Sequence, residues 1–475
     1  MKNQIYQSVL RRFEKSGTTI DDIRDVEQNI TEWDVKEHRK NRLPRLLNHF
    51  GKLLDHECQL KSGPYDEVIW RPNKRKKVLF QVTDKEILVK AFLTNDEEQI
   101  ESLVGTISYE NLENALYKWC QNNPGKGKEL IKDLNPMGKL TLPSPSPKHL
   151  LLKVLKNKEL CPEHYSITLQ IPRNLDLEPQ PGQFFHVICD PDGNENLANN
   201  EGEGGYALTL RRPFSAHRIH YADFDRKLLV TPTIIPYEIK DVLKRTVAKI
   251  DILYKVVGKG TKSLSKVPRD SYLDVIGPIG RGFSIDKIET AVIVAGGIGV
   301  APLVALAERL RYLGSKVFLY FGALKGELLK MLSDRSDSVL ELGYANGTQA
   351  FFEVIKKEFT EIGAEDVRVC TDDGSLGEKG LVTDLLKHDI ESGFLPHNNL
   401  TIYACGPSKM IKTISKVARE YKTPCQVLLE ERMACGIGAC LSCTCHVRGK
   451  SGVVERKRVC VDGPVFNSEE IVWKE

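Results

Sequence analysis

Ala291-Val-Ile-Val-Ala-Gly-Gly-Ile-Gly-Val-Ala-Pro302 opens with five apolar residues, turns on glycines and runs into a helical pattern that continues to about Leu313. A short unbroken apolar run is what a strand covered on both faces looks like. Pro302 suits the first turn of a helix, where no backbone N–H is needed. Strand, glycine turn and helix in that order form the context of a dinucleotide phosphate site, with Gly296, Gly297 and Gly299 at the turn. The glycines do not fall as G-x-G-x-x-G, so the usual Rossmann fingerprint does not apply. Val317–Phe321, Asp366–Cys370 and Leu400–Ala404 repeat the strand pattern with helical stretches between them, which predicts a parallel α/β sheet. Tyr403-Ala-Cys-Gly-Pro407 puts Cys405 and Gly406 at the carboxyl end of one such strand, where these sheets bind ligands. A buried structural thiol is the other reading of Cys405.

Upstream the texture changes. Between Leu150 and Ile285, short β-rich runs (Tyr165–Ile171, Gln183–Cys189, Lys227–Thr233, Ala248–Val257) alternate with Pro, Gly and Asp turns, which predicts an antiparallel barrel. The acidic, Asn/Gly-rich stretch Asp190–Gly205 reads as a surface loop, and Thr141-Leu-Pro-Ser-Pro-Ser-Pro147 as a stiff extended linker. Ahead of the linker, Ile20–Asp55 is mostly helix-compatible, with Trp33, Leu46, Leu47, Phe50 and Leu54 as candidate core positions. Val78–Val82 and Ile87–Phe92 read as strands, and Arg71–Lys77 as a solvated basic turn. No catalytic constellation stands out in this first part. The expected division is an N-terminal α+β domain of unknown role over 1–140, a linker over 141–149 and a β-barrel over 150–286. An α/β domain over 287–428 and a cysteine-bearing loop segment over 429–475 complete it.

The chain has 475 residues, 41% hydrophobic and 28% charged, which excludes disorder, collagen and coiled coil. Sixty-eight basic against 64 acidic residues leave a net charge of +4, too small to imply a nucleic-acid surface. The longest apolar stretch, Ala291–Ala307, holds three glycines and a proline, too short and interrupted for a membrane span. The opening MKNQIYQSVLRRFEKSG lacks the apolar core of a secretory signal, and its acidic residue argues against a transit peptide. A cytoplasmic protein is expected.

Twelve cysteines are many for that compartment, and five crowd one segment. Cys435, Cys440, Cys443 and Cys460 follow the C-x4-C-x2-C…C spacing of a plant-type [2Fe–2S] cluster, whose irons take soft thiolate ligands. Gly436 and Gly438 let the first gap fold over the cluster and aim N–H groups at its sulfides. Zinc is the alternative occupant, with His446 available, although zinc sites normally bring close Cys pairs or histidines. Cys445 fits no ligand slot and reads as a packed thiol.

Two further segments lie in the barrel. In Leu210-Arg-Arg-Pro-Phe-Ser215, an arginine is placed to pair with a phosphate, Pro213 fixes the chain and the Ser215 hydroxyl can reach a ring nitrogen. In Val257-Gly-Lys-Gly-Thr261, Gly258 and Gly260 precede a helix start, and a free Thr261 hydroxyl suits a pyrophosphate held by backbone N–H groups. Taken singly, these also read as a solvated arginine and an ordinary glycine turn.

In order, RRPFS, VGKGT, GGIGVAP and YACGP resemble the ferredoxin–NADP reductase superfamily, a flavin barrel followed by a nicotinamide domain. Glu431-Arg-Met-Ala-Cys-Gly-Ile-Gly-Ala-Cys-Leu-Ser-Cys443, Arg458-Val-Cys-Val-Asp-Gly-Pro-Val-Phe466 and Thr371–Thr383 narrow the resemblance to the electron-transfer subunits of NAD-linked dihydroorotate dehydrogenase, over about Leu150–Val472. The resemblance implies a Greek-key FAD barrel with Arg212, Pro213, Phe214 and Ser215 at the flavin, Arg212 on its phosphates and Ser215 near N5. It implies that Gly258, Gly260 and Thr261 hold the FAD pyrophosphate, and that Gly296, Gly297, Gly299, Pro302 and Gly406 line the NAD(H) site with Cys405 near the nicotinamide. Cys435, Cys440, Cys443 and Cys460 would ligate the cluster. The implied partner is an FMN-containing catalytic subunit in a hetero-oligomer, because residues 1–140 are too few for the roughly 250-residue barrel that oxidises dihydroorotate. A reductase module for a ferredoxin- or sulfur-linked complex, or a zinc-bearing scaffold, are the competing readings. Gly322-Ala-Leu-Lys325 offers one lysine and no arginine to a 2′-phosphate, so NADH is the expected nucleotide.

Overall fold

The computed structural model describes residues 32–473 except 63–64, 74–75, 95–98, 129, 131–133, 135–146, 173–174, 176, 190–209, 223–238, 240–245, 286–287, 333–355, 357–358, 360–363, 397 and 450–451. The Asp190–Gly205 insert, the expected strand Lys227–Thr233, most of the linker and the chain before Glu32 therefore lie outside the described residues. Two compact units result, the first mainly the chain up to Leu142 and the second mainly the remainder.

In the first unit, helix α1 (Glu32–Leu53) precedes strands β1 (Glu57–Lys61), β2 (Asp66–Asn73), β3 (Lys76–Val82), β4 (Ile87–Thr94) and β5 (Gln99–Ile107). These five form an antiparallel meander in sequence order. Helix α2 (Tyr109–Asn122) and the one-turn α3 (Pro124–Gly127) follow. Alternation along β3 buries Val78, Phe80 and Val82 on one face, and α1 supplies Leu43, Leu46, Leu47 and Phe50 to the core. The Trp70 indole N–H donates to the Leu47 carbonyl at 2.9 Å, and Phe50 meets the Trp119 ring edge-on at 4.7 Å. Three expectations need correction. Arg71–Lys77 is not simply a loop, since Arg71–Asn73 end β2 and Lys76–Lys77 begin β3, as a hairpin requires. Leu54 follows the end of α1 and is only half-buried. Strands β1, β2 and β5 and helices α2 and α3 are additional elements.

The second unit begins with a closed six-stranded antiparallel barrel of β6 (Lys148–Cys161), β7 (His164–Gln170), β8 (Phe184–Val187), β9 (Arg212–Tyr221), β10 (Val247–Lys255) and β11 (Tyr272–Ile279), in the order β10-β7-β6-β11-β8-β9. The short helix α4 (Lys259–Leu264) follows β10. Next come β12 (Thr290–Gly296), a 3-10 turn at Gly297–Val300, α5 (Ala301–Leu313), β13 (Lys316–Ala323), β14 (Ala364–Thr371), β15 (Glu378–Lys379), α6 (Val382–Glu391), β16 (Leu400–Cys405), α7 (Ser408–Glu420) and β17 (Cys425–Leu428). Every residue of β12 is buried, as its apolar run requires of a central parallel strand. Gly314, at φ +100°, ends α5 in the left-handed conformation that favours glycine.

The last 45 residues hold more regular structure than the expected loops. Beyond the cysteine loop, β18 (Thr444–Arg448) and β19 (Val454–Arg458) form a hairpin, and β20 (Val465–Asn467) pairs antiparallel with β17. The α/β sheet thus runs β15-β14-β13-β12-β16-β17-β20. One apolar core joins Phe184 and Ile279 from the barrel, Val292, Val294 and Ile402 from the sheet, and Cys443, Val459, Cys460 and Phe466 from the cysteine segment. Among the described residues no helix is long and apolar enough to cross a membrane.

Candidate functional site

Closing the barrel brings two distant motifs together. Arg212 starts β9 and Gly260 lies in the first turn of α4, and a Cβ on Gly260 would stand 3.4 Å from Arg212 Nε. Gly258 faces open space. The two arginines of the motif have different tasks. Arg211 donates to the Asp274 carbonyl at 2.9 Å and to its carboxylate at 2.8 Å, and His149 Nε2 stands 2.6 Å from the same carboxylate. Arg212 reaches only backbone carbonyls, Leu210 O at 2.5 Å and Arg211 O at 3.3 Å, and has no carboxylate partner among the described residues. It is the arginine left to meet an anion at the mouth of the glycine turn. Phe214 packs edge-on against Tyr254 at 5.8 Å and Ser215 is half-buried opposite Phe184. The sequence predicts a free Thr261 hydroxyl, but in the structure that hydroxyl is committed. It accepts from the N–H groups of Val257 (2.9 Å) and Gly258 (3.3 Å) and donates to the Gly258 carbonyl (3.2 Å), so it shapes the turn.

In the sheet, β12 is flanked by β13 on one side and β16 on the other, because the chain fills one side through β14 and then crosses over. The topological switch point, where doubly wound sheets open a crevice, therefore lies between β12 and β16. The 296–300 turn and the Cys405–Pro407 turn meet there. Three glycines make the close approach possible. A Cβ on Gly299 would lie 2.4 Å from the Cys405 carbonyl oxygen, one on Gly296 would lie 2.6 Å from Met410 Sδ, and Gly406 has φ +154°. Gly297, at φ +53°, faces open space and leaves its backbone to a ligand. Pro302 is the second residue of α5 and buried. Cys405 itself is fully buried, and desolvation, with the Glu430 carboxylate nearby, pushes its thiol far above the usual range. It is a buried, neutral thiol.

The sequence reading missed a clasp between barrel and sheet. His217 on β9 is buried, its Nδ1 lies 3.1 Å from the Ala301 carbonyl, and Arg218 lies 3.5 Å from Glu308 on α5. Desolvation, followed by the Arg218 charge, lowers His217 to about 4. Thus the strand that carries the flavin motif also holds the helix that follows the glycine turn.

The cysteine loop has left-handed residues at Gly436 (φ +69°), Gly438 (φ +84°) and Leu441 (φ +56°), which curl it around its own thiols. The thiols associate in two pairs. The Cys440 N–H lies 3.4 Å from Cys435 Sγ, and Cys443 and Cys460 hydrogen-bond through their side chains. Two thiolates for each of two irons is the donor set of a [2Fe–2S] cluster, so the residues fit that group. Cys440 is exposed, and hydrogen bonds from Ser442 first and Cys435 second lower its thiol to about 6. Cys445 is packed away, and burial raises it to about 11. Arg458, unnoticed in the sequence, braces the loop. Its side chain binds Asp462 at 3.1 Å and the Gly438 carbonyl at 3.4 Å.

A second missed residue joins these sites. His186 on β8 is 1% exposed, pairs in register with Pro213, and presses on Gly436, where a Cβ would stand 2.5 Å from its Nδ1. Desolvation first, then the Arg211 and Arg212 charges, lower it to about 4.

Two family profiles match the chain: the iron-sulfur cluster binding domain of dihydroorotate dehydrogenase B over residues 430–472, and the oxidoreductase NAD-binding domain over 293–416. The dihydroorotate dehydrogenase B (NAD(+)) electron transfer subunit of Caldanaerobacter subterraneus subsp. tengcongensis is 33% identical over 321 residues, 68% of this chain and 97% of that one. The corresponding subunit of Desulforamulus reducens is 34% identical over 323 residues, with the same shares. Among solved structures, a chain of the NADH-dependent reduced ferredoxin–NADP oxidoreductase is similar at 26% identity and a TM-score of 0.46, over 71% of this chain and 92% of that one.

Proposed function

The chain belongs to the family of dihydroorotate dehydrogenase B electron-transfer subunits, and from that premise we propose how its residues divide the work. It is an NAD-linked oxidoreductase subunit that moves electrons between NAD(H), FAD and a [2Fe–2S] cluster and exchanges them with a catalytic partner subunit, in pyrimidine biosynthesis. The bound groups supply the redox chemistry, hydride exchange at the flavin and single-electron carriage at the cluster.

The residues of this chain bind, orient and shield those groups. Arg212 holds flavin phosphate and the Gly258–Thr261 turn offers it backbone N–H groups, with Thr261 keeping the turn in shape. Pro213, Phe214 and Ser215 line the flavin. Gly296, Gly297, Gly299 and Pro302 form the pyrophosphate cradle for NAD(H), and Gly406 lets the second turn approach it. Cys405 backs the nicotinamide side of the crevice. Cys435, Cys440, Cys443 and Cys460 ligate the cluster, with Arg458 and Asp462 holding their loop. Substrate oxidation falls to an FMN-containing partner subunit, NADH is the nucleotide, and the working compartment is the cytoplasm, where thiols stay reduced.

The observation that supports this reading is the apolar core shared by the barrel edge, the parallel sheet and the cysteine segment, within one compact unit. Anaerobic reconstitution with FAD and iron tests it. The loaded protein should show flavin and iron–sulfur absorption together, with NADH reducing the flavin. A protein that takes up neither group would refute it.

A further inference from the structure

His186 presents a problem that the described residues do not solve. It is 1% exposed, and among the described residues neither ring nitrogen makes a hydrogen bond of good geometry, although the backbone of Arg211 and of Cys435 lies close enough to interact with the ring. A buried imidazole whose nitrogens lack well-formed hydrogen bonds is costly, and such a group calls for an explanation. Alternation along β8 shows where the ring is aimed. Phe185 and Val187 point into the barrel core, while Phe184 belongs to the core shared with Cys443 and Cys460. His186 shares the face of Phe184, whose ring it meets edge-on at 6.5 Å. Gly436, beside the first cysteine of the loop, rests on Nδ1, and its φ of +69° together with the 2.5 Å that a Cβ would have makes any larger residue there costly. On the opposite edge, Pro213 of the flavin motif is the register partner of His186, and Arg211 holds the His186 carbonyl at 3.4 Å. The ring therefore stands between the flavin strand and the cysteine loop, turned toward the loop.

We propose that His186 is a positioning residue for the iron–sulfur cluster, its imidazole N–H donating a hydrogen bond to the thiolate or sulfide acceptors on the Cys435 side and so stabilising the reduced cluster. The inference rests on the four-cysteine ligand assignment above. A neutral imidazole has one N–H to give, and sulfur acceptors become better ones as the cluster gains negative charge, so the bond strengthens on reduction and raises the potential. The backbone contact to Cys435 sets the ring against the first ligand of the loop, where an acceptor on the cluster would complete the bond that the nitrogens lack.

The test compares His186→Phe, which keeps an aromatic ring without a donor, with His186→Gln, which keeps an N–H, in full-length protein loaded with FAD and iron. The readout is an EPR-monitored redox titration of the cluster beside an optical titration of the flavin. The Phe variant should make cluster reduction about tenfold less favourable, about 59 mV for a one-electron couple, while the flavin potential stays in place and Gln restores most of the shift. An unchanged cluster potential in the Phe variant, an equal shift in the Gln variant, or a shift confined to the flavin would each overturn the proposal. If the Phe variant loads no cluster, pulsed EPR of the reduced wild type labelled with 15N-histidine decides. A 15N coupling that disappears in His186→Gln supports the bond, and no coupling overturns it. A wild type that never shows a cluster signal would overturn the ligand assignment itself, and the inference with it.

Discussion

Replacing Gly299 with alanine tests the nucleotide crevice directly. The new methyl would sit 2.4 Å from the Cys405 carbonyl oxygen, 2.6 Å from its carbon and 2.6 Å from Gly406 Cα, all backbone atoms. Ordinary contact begins at 3.4 Å, so the two turns must part by about 1 Å. Neither turn yields by rotating a side chain. One continues the fully buried β12, and the other ends β16, its hydrogen-bonded parallel neighbour. Overpacking of this kind costs about 1–3 kcal/mol of stability. A displacement of about 1 Å in a group that positions a reactant costs on the order of 100-fold in rate. Stopped-flow reduction of the bound flavin by NADH should therefore slow by about two orders of magnitude, with flavin content and cluster absorption retained and chemical reduction by dithionite unaffected. Gly297→Ala is the control, since its Cβ meets nothing within 4 Å and carries only the strain of φ +53°. It should lose far less. A folded Gly299→Ala protein reduced by NADH at the wild-type rate would refute the placement of nucleotide at this switch point.

Three further outcomes follow from particular contacts. Arg212→Ala should weaken FAD binding by about 10–100-fold, the loss of a charge-assisted bond of about 1.5–3 kcal/mol. Arg211→Ala should instead lower the denaturation midpoint by unpinning Asp274 while FAD affinity stays near wild type, and equilibrium flavin titration with urea melts separates the two. Cys443→Ala should abolish the cluster's EPR signal and leave NADH reduction of the flavin intact, and a retained signal would exclude Cys443 as a ligand. His217 is lowered from 6.5 to about 4, so between those pH values the unfolded chain holds a proton that the folded one lacks. Stability contributed by the neutral ring is thus present above about pH 6.5 and falls as pH drops toward 4, by up to about 3 kcal/mol at 1.36 kcal/mol per pKa unit. Urea melts at pH 7 and pH 5 should show the loss in wild type and a smaller one in His217→Gln.

What the sequence made legible was chemistry that is local in the chain. The apolar run at Ala291–Ala295 followed by a glycine turn read as a buried strand, and the C-x4-C-x2-C spacing pointed to thiolate ligands without any fold. The same holds for the VGKGT turn, although the Thr261 hydroxyl turned out to be committed to that turn. What stayed hidden depends on which strands become neighbours. Phe184-Phe-His-Val187 is an ordinary half-apolar strand until β8 is set between β9 and β11 and its outer face meets a loop 250 residues later. Arg211 and Arg212 are indistinguishable as letters and are separated only by the Asp274 carboxylate. In the first unit, β1, β2 and β5 were missed because their mixed polar and apolar runs lack a clear alternation. Helix α2 did carry a signal: Leu112, Ala115, Leu116 and Trp119 recur at helical spacing behind Ser108, whose hydroxyl accepts the Asn111 N–H at 3.2 Å.

The most direct measurement is an anaerobic NADH titration of the fully loaded wild-type chain, followed by visible absorption and low-temperature EPR. With the proposed flavin, nucleotide and cluster sites in one compact unit, the flavin and iron–sulfur bands should bleach in the same titration and a reduced-cluster EPR signal should grow with them. A flavin that bleaches while the iron–sulfur band persists and no signal appears would contradict an electron path from NADH through this chain to its cluster.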